Sequence, residues 1–94
     1  MDLDSAKAAI VSNVYHVPSD KKVPLHTHWD KDEIFYCMKG SGFGVLEDRE
    51  VDLNVGQAFI VPAGTMHTLR SDEDLYVASF LVPVVDGRPG HDAT

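Results

Sequence analysis

Between Ile10 and Val85, apolar residues recur in short runs of two-residue alternation. Gly, Pro, Asn or Asp interrupts them every few positions, which is the pattern of strands and turns rather than helices. Ile10 to Val17, I-V-S-N-V-Y-H-V, is rich in β-branched and aromatic residues and predicts a first strand, broken by Pro18-Ser19-Asp20. Val23 to His28 predicts a short second strand, with Pro24 marking an edge position or a bulge. After a polar turn at Trp29 to Asp32, strands are predicted over Glu33 to Lys39 and Phe43 to Leu46, separated by a Gly40-Ser41-Gly42 turn. A hairpin connection at Glu47-Asp48-Arg49 leads to a strand over Val51 to Leu53, and Asn54 to Gln57 turns again. Ala58 to Val61 is the next strand, stopped by Pro62-Ala63-Gly64. Met66 to Arg70 resumes extended structure, Ser71 to Asp74 reads as a charged turn, and Leu75 to Val85 as the last strand or two.

Seven or eight short strands without a convincing helix predict an all-β antiparallel sandwich or jelly roll. The chain is expected to be an N-terminal arm at 1–9, a single domain at 10–85 and a flexible C-terminal tail at 86–94.

Composition narrows the partners. Ninety-four residues suffice for one domain. Eight basic residues against fifteen acidic ones give a net charge of −7, and the basic residues are scattered, so no nucleic-acid partner is expected. No run approaches the ~20 apolar residues of a membrane span, so no membrane partner is expected. The acidic start M-D-L-D-S-A-K lacks the apolar stretch of a signal peptide, and the single Cys37 suits a reducing compartment; a cytoplasmic location is the expectation.

The chemistry is concentrated in two stretches. In V-P-L-H-T-H-W-D-K-D-E-I-F-Y-C-M-K-G, His26 and His28 sit at i and i+2 and so share a strand face. Glu33 opens the next strand and can lie across from them. In G-Q-A-F-I-V-P-A-G-T-M-H, His67 follows the sharp Pro62-Ala63-Gly64 turn and is placed to add a third imidazole. Neutral imidazoles with one carboxylate suit a divalent transition metal: Fe, Mn, Ni, Cu or Zn. Asp32 competes with Glu33 for the carboxylate position, but alternation turns Asp32 away.

These residues resemble the two sequence motifs of the cupin superfamily. The first, a histidine pair one residue apart followed by Glu and Gly, is matched with its spacing at His26, His28, Glu33 and Gly40. The second is matched at Gly56, Pro62, Gly64 and His67. Finding Gly, Pro and Gly at the required offsets from a given histidine has odds of roughly 3 in 10,000, which removes coincidence as a rival. Only 15 residues separate Gly40 from Gly56, so the chain resembles a small single-domain cupin over Ile10 to Val85. Two positions depart from the family pattern: Asp20 stands where a Gly is expected, and Ser71, which can bond nearby backbone, where an Asn is expected.

The resemblance implies a double-stranded β-helix, the cupin jelly-roll barrel, with His26, His28, Glu33 and His67 as ligands of one divalent metal per chain. It also implies a small-molecule ligand or substrate, handled by a dioxygenase, isomerase or decarboxylase, and, alternatively, a non-catalytic binding or sensing module. Phe35, Cys37, Phe59 and Leu69 are expected to line the pocket, and Phe80 the barrel interior. Arg49, on a turn, and Arg70, out of phase with His67, argue against a phosphorylated substrate. His16 and His91 lack partners at ligand spacing and read as ordinary polar residues. Strands apolar on both faces, at Ile10 to Val17 and Leu75 to Val85, together with the resemblance, imply a homodimer.

Overall fold

A computed structural model describes residues 10–19 and 25–83, together with Asp4. The remainder of the expected arm, the tail with His91, and Asp20, Val23 and Pro24 lie outside the described residues.

Among the described residues five strands are formed: β1 (Val11–Val17), β2 (Lys31–Leu46), β3 (Glu50–Asn54), β4 (Ala58–Val61) and β5 (His67–Pro83). All pair antiparallel in the order β1-β5-β2-β3, with β4 also on β2. The two long strands carry the architecture. The first half of β2 pairs with β4 and with the end of β5, from Lys31↔Pro83 to Cys37↔Val77. Its second half pairs with β3 and with the start of β5, from Gly42↔Ser71 to Leu46↔His67. Between the halves the register shifts repeatedly, and bulges of this kind bend a strand and increase its twist. The result is an all-β antiparallel barrel of the jelly-roll type.

Two predicted turns are therefore strand interior. Gly40-Ser41-Gly42 lies inside β2, where its small residues serve the bend rather than a chain reversal. Gly40 has φ +81°, and a Cβ there would collide with the backbone carbonyl of Asp74 on the neighbouring strand. Ser71 to Asp74 lies inside β5. Its charged side chains face solvent while the backbone stays paired with β2, so the charge marked an exposed stretch and not a turn. Conversely, the strand expected over Val23 to His28 is absent from the described Leu25 to His28, where His26 makes only an isolated bridge to His67.

The core joins both halves: Val17, Phe35, Cys37, Leu53, Phe59, Val61, Leu69, Leu75 and Val77. Complete burial of residues such as Leu53, Leu75 and Val77 contributes about 1.5–3 kcal/mol each. Inward parity on β5 runs Leu75, Val77, Ser79. Phe80 consequently faces outward opposite Ile34 and is 36% exposed, contrary to the interior place expected of it. Among the described residues no helix is long and apolar enough to cross a membrane.

Candidate metal centre

His26, His28, Glu33 and His67 converge. One candidate ligand atom from each lies within 4.8 Å of all the others, close to the ~4–4.4 Å spanned by opposite ligands around an ion held at ~2.0–2.2 Å. The three Nε2 atoms surround a single oxygen, Glu33 Oε1, at 2.8 Å for His67, 3.3 Å for His28 and 3.9 Å for His26.

The four side chains arrive by two routes. Glu33 and His67 stand on β2 and β5, with side chains 5% and 1% exposed. His26 and His28 come from the segment before β2, which backbone bonds fasten to the turn before β5. His26 and His67 exchange N–H···O bonds in both directions at 2.9 Å, and Gly64 donates its N–H to the His28 carbonyl at 2.7 Å. Gly64 has φ +85°, a conformation that glycine adopts without strain. Asp32 Oδ1 accepts the Ala63 N–H at 2.8 Å. Asp32 thus anchors that turn rather than competing with Glu33.

Glu33 is a buried carboxylate, and its compensation is visible. Burial alone would raise its pKa. Hydrogen bonds from His67 and Ser79, with the charge of His67 and His28, outweigh burial and hold the carboxyl below its usual range. Ser79 donates to Oε2 at 2.7 Å. This residue was missed from sequence; its signal was a small polar side chain within the apolar run of Leu75 to Val85, in phase with the inward Leu75 and Val77.

His67 Nδ1 lies 2.8 Å from the Thr65 carbonyl oxygen, which can only accept, so Nδ1 carries a proton. Nε2 stands 2.8 Å from Glu33 Oε1, a distance at which a shared proton, or a cation in its place, joins the two. His26 and His28 face the same oxygen. Three imidazole nitrogens and a carboxylate oxygen converging on one point are a donor set that fits a divalent metal.

Beside this cluster is a cavity of about 430 Å³, walled by Tyr15, His16, Val17, His26, His28, Glu33, Phe35, Thr68, Leu69 and Leu81. Phe35 and Leu69, expected on the pocket, are in this wall. Cys37 and Phe59, expected there too, belong instead to the packed core. The reason is depth: Cys37 lies a further two residues along β2, beyond the Phe35 ring, which stacks on Phe59 at 6.0 Å. Trp29 is exposed and lies outside the wall. The His16 ring stacks on Tyr76 at 4.3 Å and meets Asp74 Oδ1 at 3.2 Å. Arg70 forks onto Glu50 with bonds of 2.9 and 2.8 Å, away from the cavity. Ser71, which could bond nearby backbone, has a buried hydroxyl with no partner among the described residues.

The family model of the cupin domain matches residues 13–84. Quercetin 2,3-dioxygenase of Bacillus subtilis is 34% identical over 55 residues, covering 58% of this chain and 16% of that protein. Acireductone dioxygenase 1 of rice is 33% identical over 66 residues, covering 65% of this chain and 33% of that one. The chain spans less than half the length of these relatives. A predicted oxalate decarboxylase from Thermotoga maritima superposes with a TM-score of 0.75 at 18% identity, covering 89% of this chain and 76% of that one. A cupin protein from Bacteroides fragilis gives 0.74 at 20% identity, covering 84% and 70%. These structural likenesses concern the fold alone.

Proposed function

This chain belongs to the cupin-domain family, and from that premise we propose that it is a metal-dependent cupin that binds and transforms a small molecule in its barrel. The convergence of three imidazole nitrogens on one carboxylate oxygen carries this reading. His26, His28, Glu33 and His67 would hold one divalent ion. Bound there, the ion supplies Lewis acidity to an oxygen-bearing ligand and, if it is iron, redox chemistry with dioxygen. Two relatives bear dioxygenase names, which supports oxidation over isomerisation or decarboxylation.

The protein's own residues set the rest. Val17, Phe35, Leu69 and Leu81 give the cavity an apolar wall that excludes water, and Tyr15 and Thr68 offer hydroxyls for orientation. Among the described residues neither Lys nor Arg lines it, which favours a substrate without phosphate.

A second reading, a non-catalytic binding module, is favoured by the scarcity of acid–base groups in that wall. Outside the candidate ligands, its ionisable members among the described residues are Tyr15 and His16, and the His16 ring is engaged by Tyr76 and Asp74.

Elemental analysis of protein purified without chelator or nickel resin, beside His67→Ala, tests the metal. About one transition-metal ion per chain, lost in the variant, is expected; no metal after reconstitution would overturn the metal reading. Oxygen consumption by the iron-loaded protein with small oxygen-bearing compounds then separates enzyme from module.

The outer face of the β1-β5-β2-β4 sheet, with Val14, Tyr36, Ile60 and Phe80 exposed, supports a homodimer. Light scattering is expected to give twice the chain mass; a monomer mass would remove the dimer.

A further inference from the structure

The geometry points to Ser79 as the positioning residue of the metal centre, the group that makes Glu33 a one-oxygen ligand. This rests on the metal reading above, but its observations are separate. Glu33 has two carboxylate oxygens, and the structure divides their work. Oε1 is the oxygen that all three imidazoles face, while Oε2 accepts the Ser79 hydroxyl at 2.7 Å. Ser79 is 1% exposed, so that bond is shielded from water and has no solvent substitute. The backbone sets the angle of approach. Phe35 is the register partner of Ser79, and Glu33 lies one inward position back along β2, so the hydroxyl reaches Glu33 diagonally from the neighbouring strand.

A carboxylate with both oxygens free can swing either one, or both, towards a cation. With Oε2 held from behind, rotation about the terminal torsion is stopped and one oxygen is presented. This leaves space beside the imidazoles for an oxygen-bearing ligand. Partners of this kind that orient a ligating side chain typically change metal affinity by ~10–100-fold when removed.

The test uses Co(II) as the probe and three variants of the full chain. Ser79→Ala deletes the hydroxyl. Ser79→Thr and Ser79→Val form a nearly isosteric pair that differs in the hydroxyl alone. Folding is checked by circular dichroism, affinity by competition titration against a chromophoric chelator, and the ligand field by the Co(II) visible spectrum.

The expectation is a ~10–100-fold weaker affinity and an altered spectrum for Ala and Val, with Thr close to wild type in both. Where the added methyl group of Thr and Val prevents folding, Ala against wild type decides. Unchanged affinity and spectrum in Ser79→Ala, while wild type binds Co(II), would overturn the role of Ser79 and leave the metal centre standing. Absence of Co(II) binding by wild type would overturn both. A loss of thermal stability in Ser79→Ala without change in affinity or spectrum would make Ser79 a structural residue only and also overturn the proposal.

Discussion

The two halves of the candidate centre are built differently. Glu33 and His67 are planted on the two long strands, buried, and fixed by Ser79 and by the Thr65 carbonyl. His26 and His28 have side chains 44% and 34% exposed and sit on a segment that is not a strand, fastened by backbone bonds to the 62–67 turn. The first half shares its scaffold with the hydrophobic core, so its geometry costs nothing beyond folding. The second half is ordered by a few hydrogen bonds worth about 1 kcal/mol each, so it is the half a bound ion would stabilise most. The site is preformed on one side and closed from the other.

The strongest way to break this comparison is to remove one imidazole from each half. His67→Ala deletes a buried ring and strips Glu33 Oε1 of its nearest partner. It is expected to abolish metal retention and to cost about 3 kcal/mol of metal-free stability in urea unfolding. His26→Ala is expected to weaken metal binding but to cost less than about 1 kcal/mol without metal, because the ring is half in solvent. Equal losses from the two variants would show that the halves are not distinct.

Metal removal sharpens the same contrast. Metal at 1,000 times its Kd is expected to stabilise the fold by about 4 kcal/mol, read as a shift in thermal midpoint on adding chelator. Hydrogen exchange should then locate the loosening. The amides of His26 and Gly64, which tie the two segments together, are expected to lose protection well before those of β2 and β5. Uniform loss across the sheet would contradict the two-part construction.

Asp32→Ala tests the fastening from the turn side. It removes the acceptor of the Ala63 N–H and should cost about 1–2 kcal/mol while weakening metal binding, measured by urea unfolding and competition titration. The smallest effect is expected far from the loop. Burial pushes the Cys37 thiol above its usual range, against a weak contact with the Lys39 carbonyl, so alkylation of the folded protein should be slow. Cys37→Ala should cost about 1 kcal/mol and leave metal affinity unchanged, since Cys37 packs in the core and not on the cavity.

Strand alternation placed Glu33, Phe35 and Cys37 on one inward face from sequence alone, and the spacing of His26, His28, Glu33, Gly40, Gly56, Pro62, Gly64 and His67 was sufficient to single out the cluster. These features are local or carried by short motifs, so they survive without coordinates. What failed depended on partners distant in the chain. Gly40 to Gly42 and Ser71 to Asp74 carry turn chemistry, yet each continues a strand because the other lies alongside and pairs with it. Phe80 faces outward instead of inward, and Ser79 went unnoticed, because the register of β5 against β2 decides which parity faces the core. Cys37 shares the inward face of Phe35, yet Phe35 borders the cavity and Cys37 lies only in the packed core, a distinction that alternation along one strand does not carry. The sequence by itself determined an all-β cupin and the residue types of its candidate metal centre. The tertiary structure alone decided that Ser79 holds Glu33 and that half the centre hangs from a turn, because a hydrogen bond between residues 46 positions apart exists only once the strands are paired.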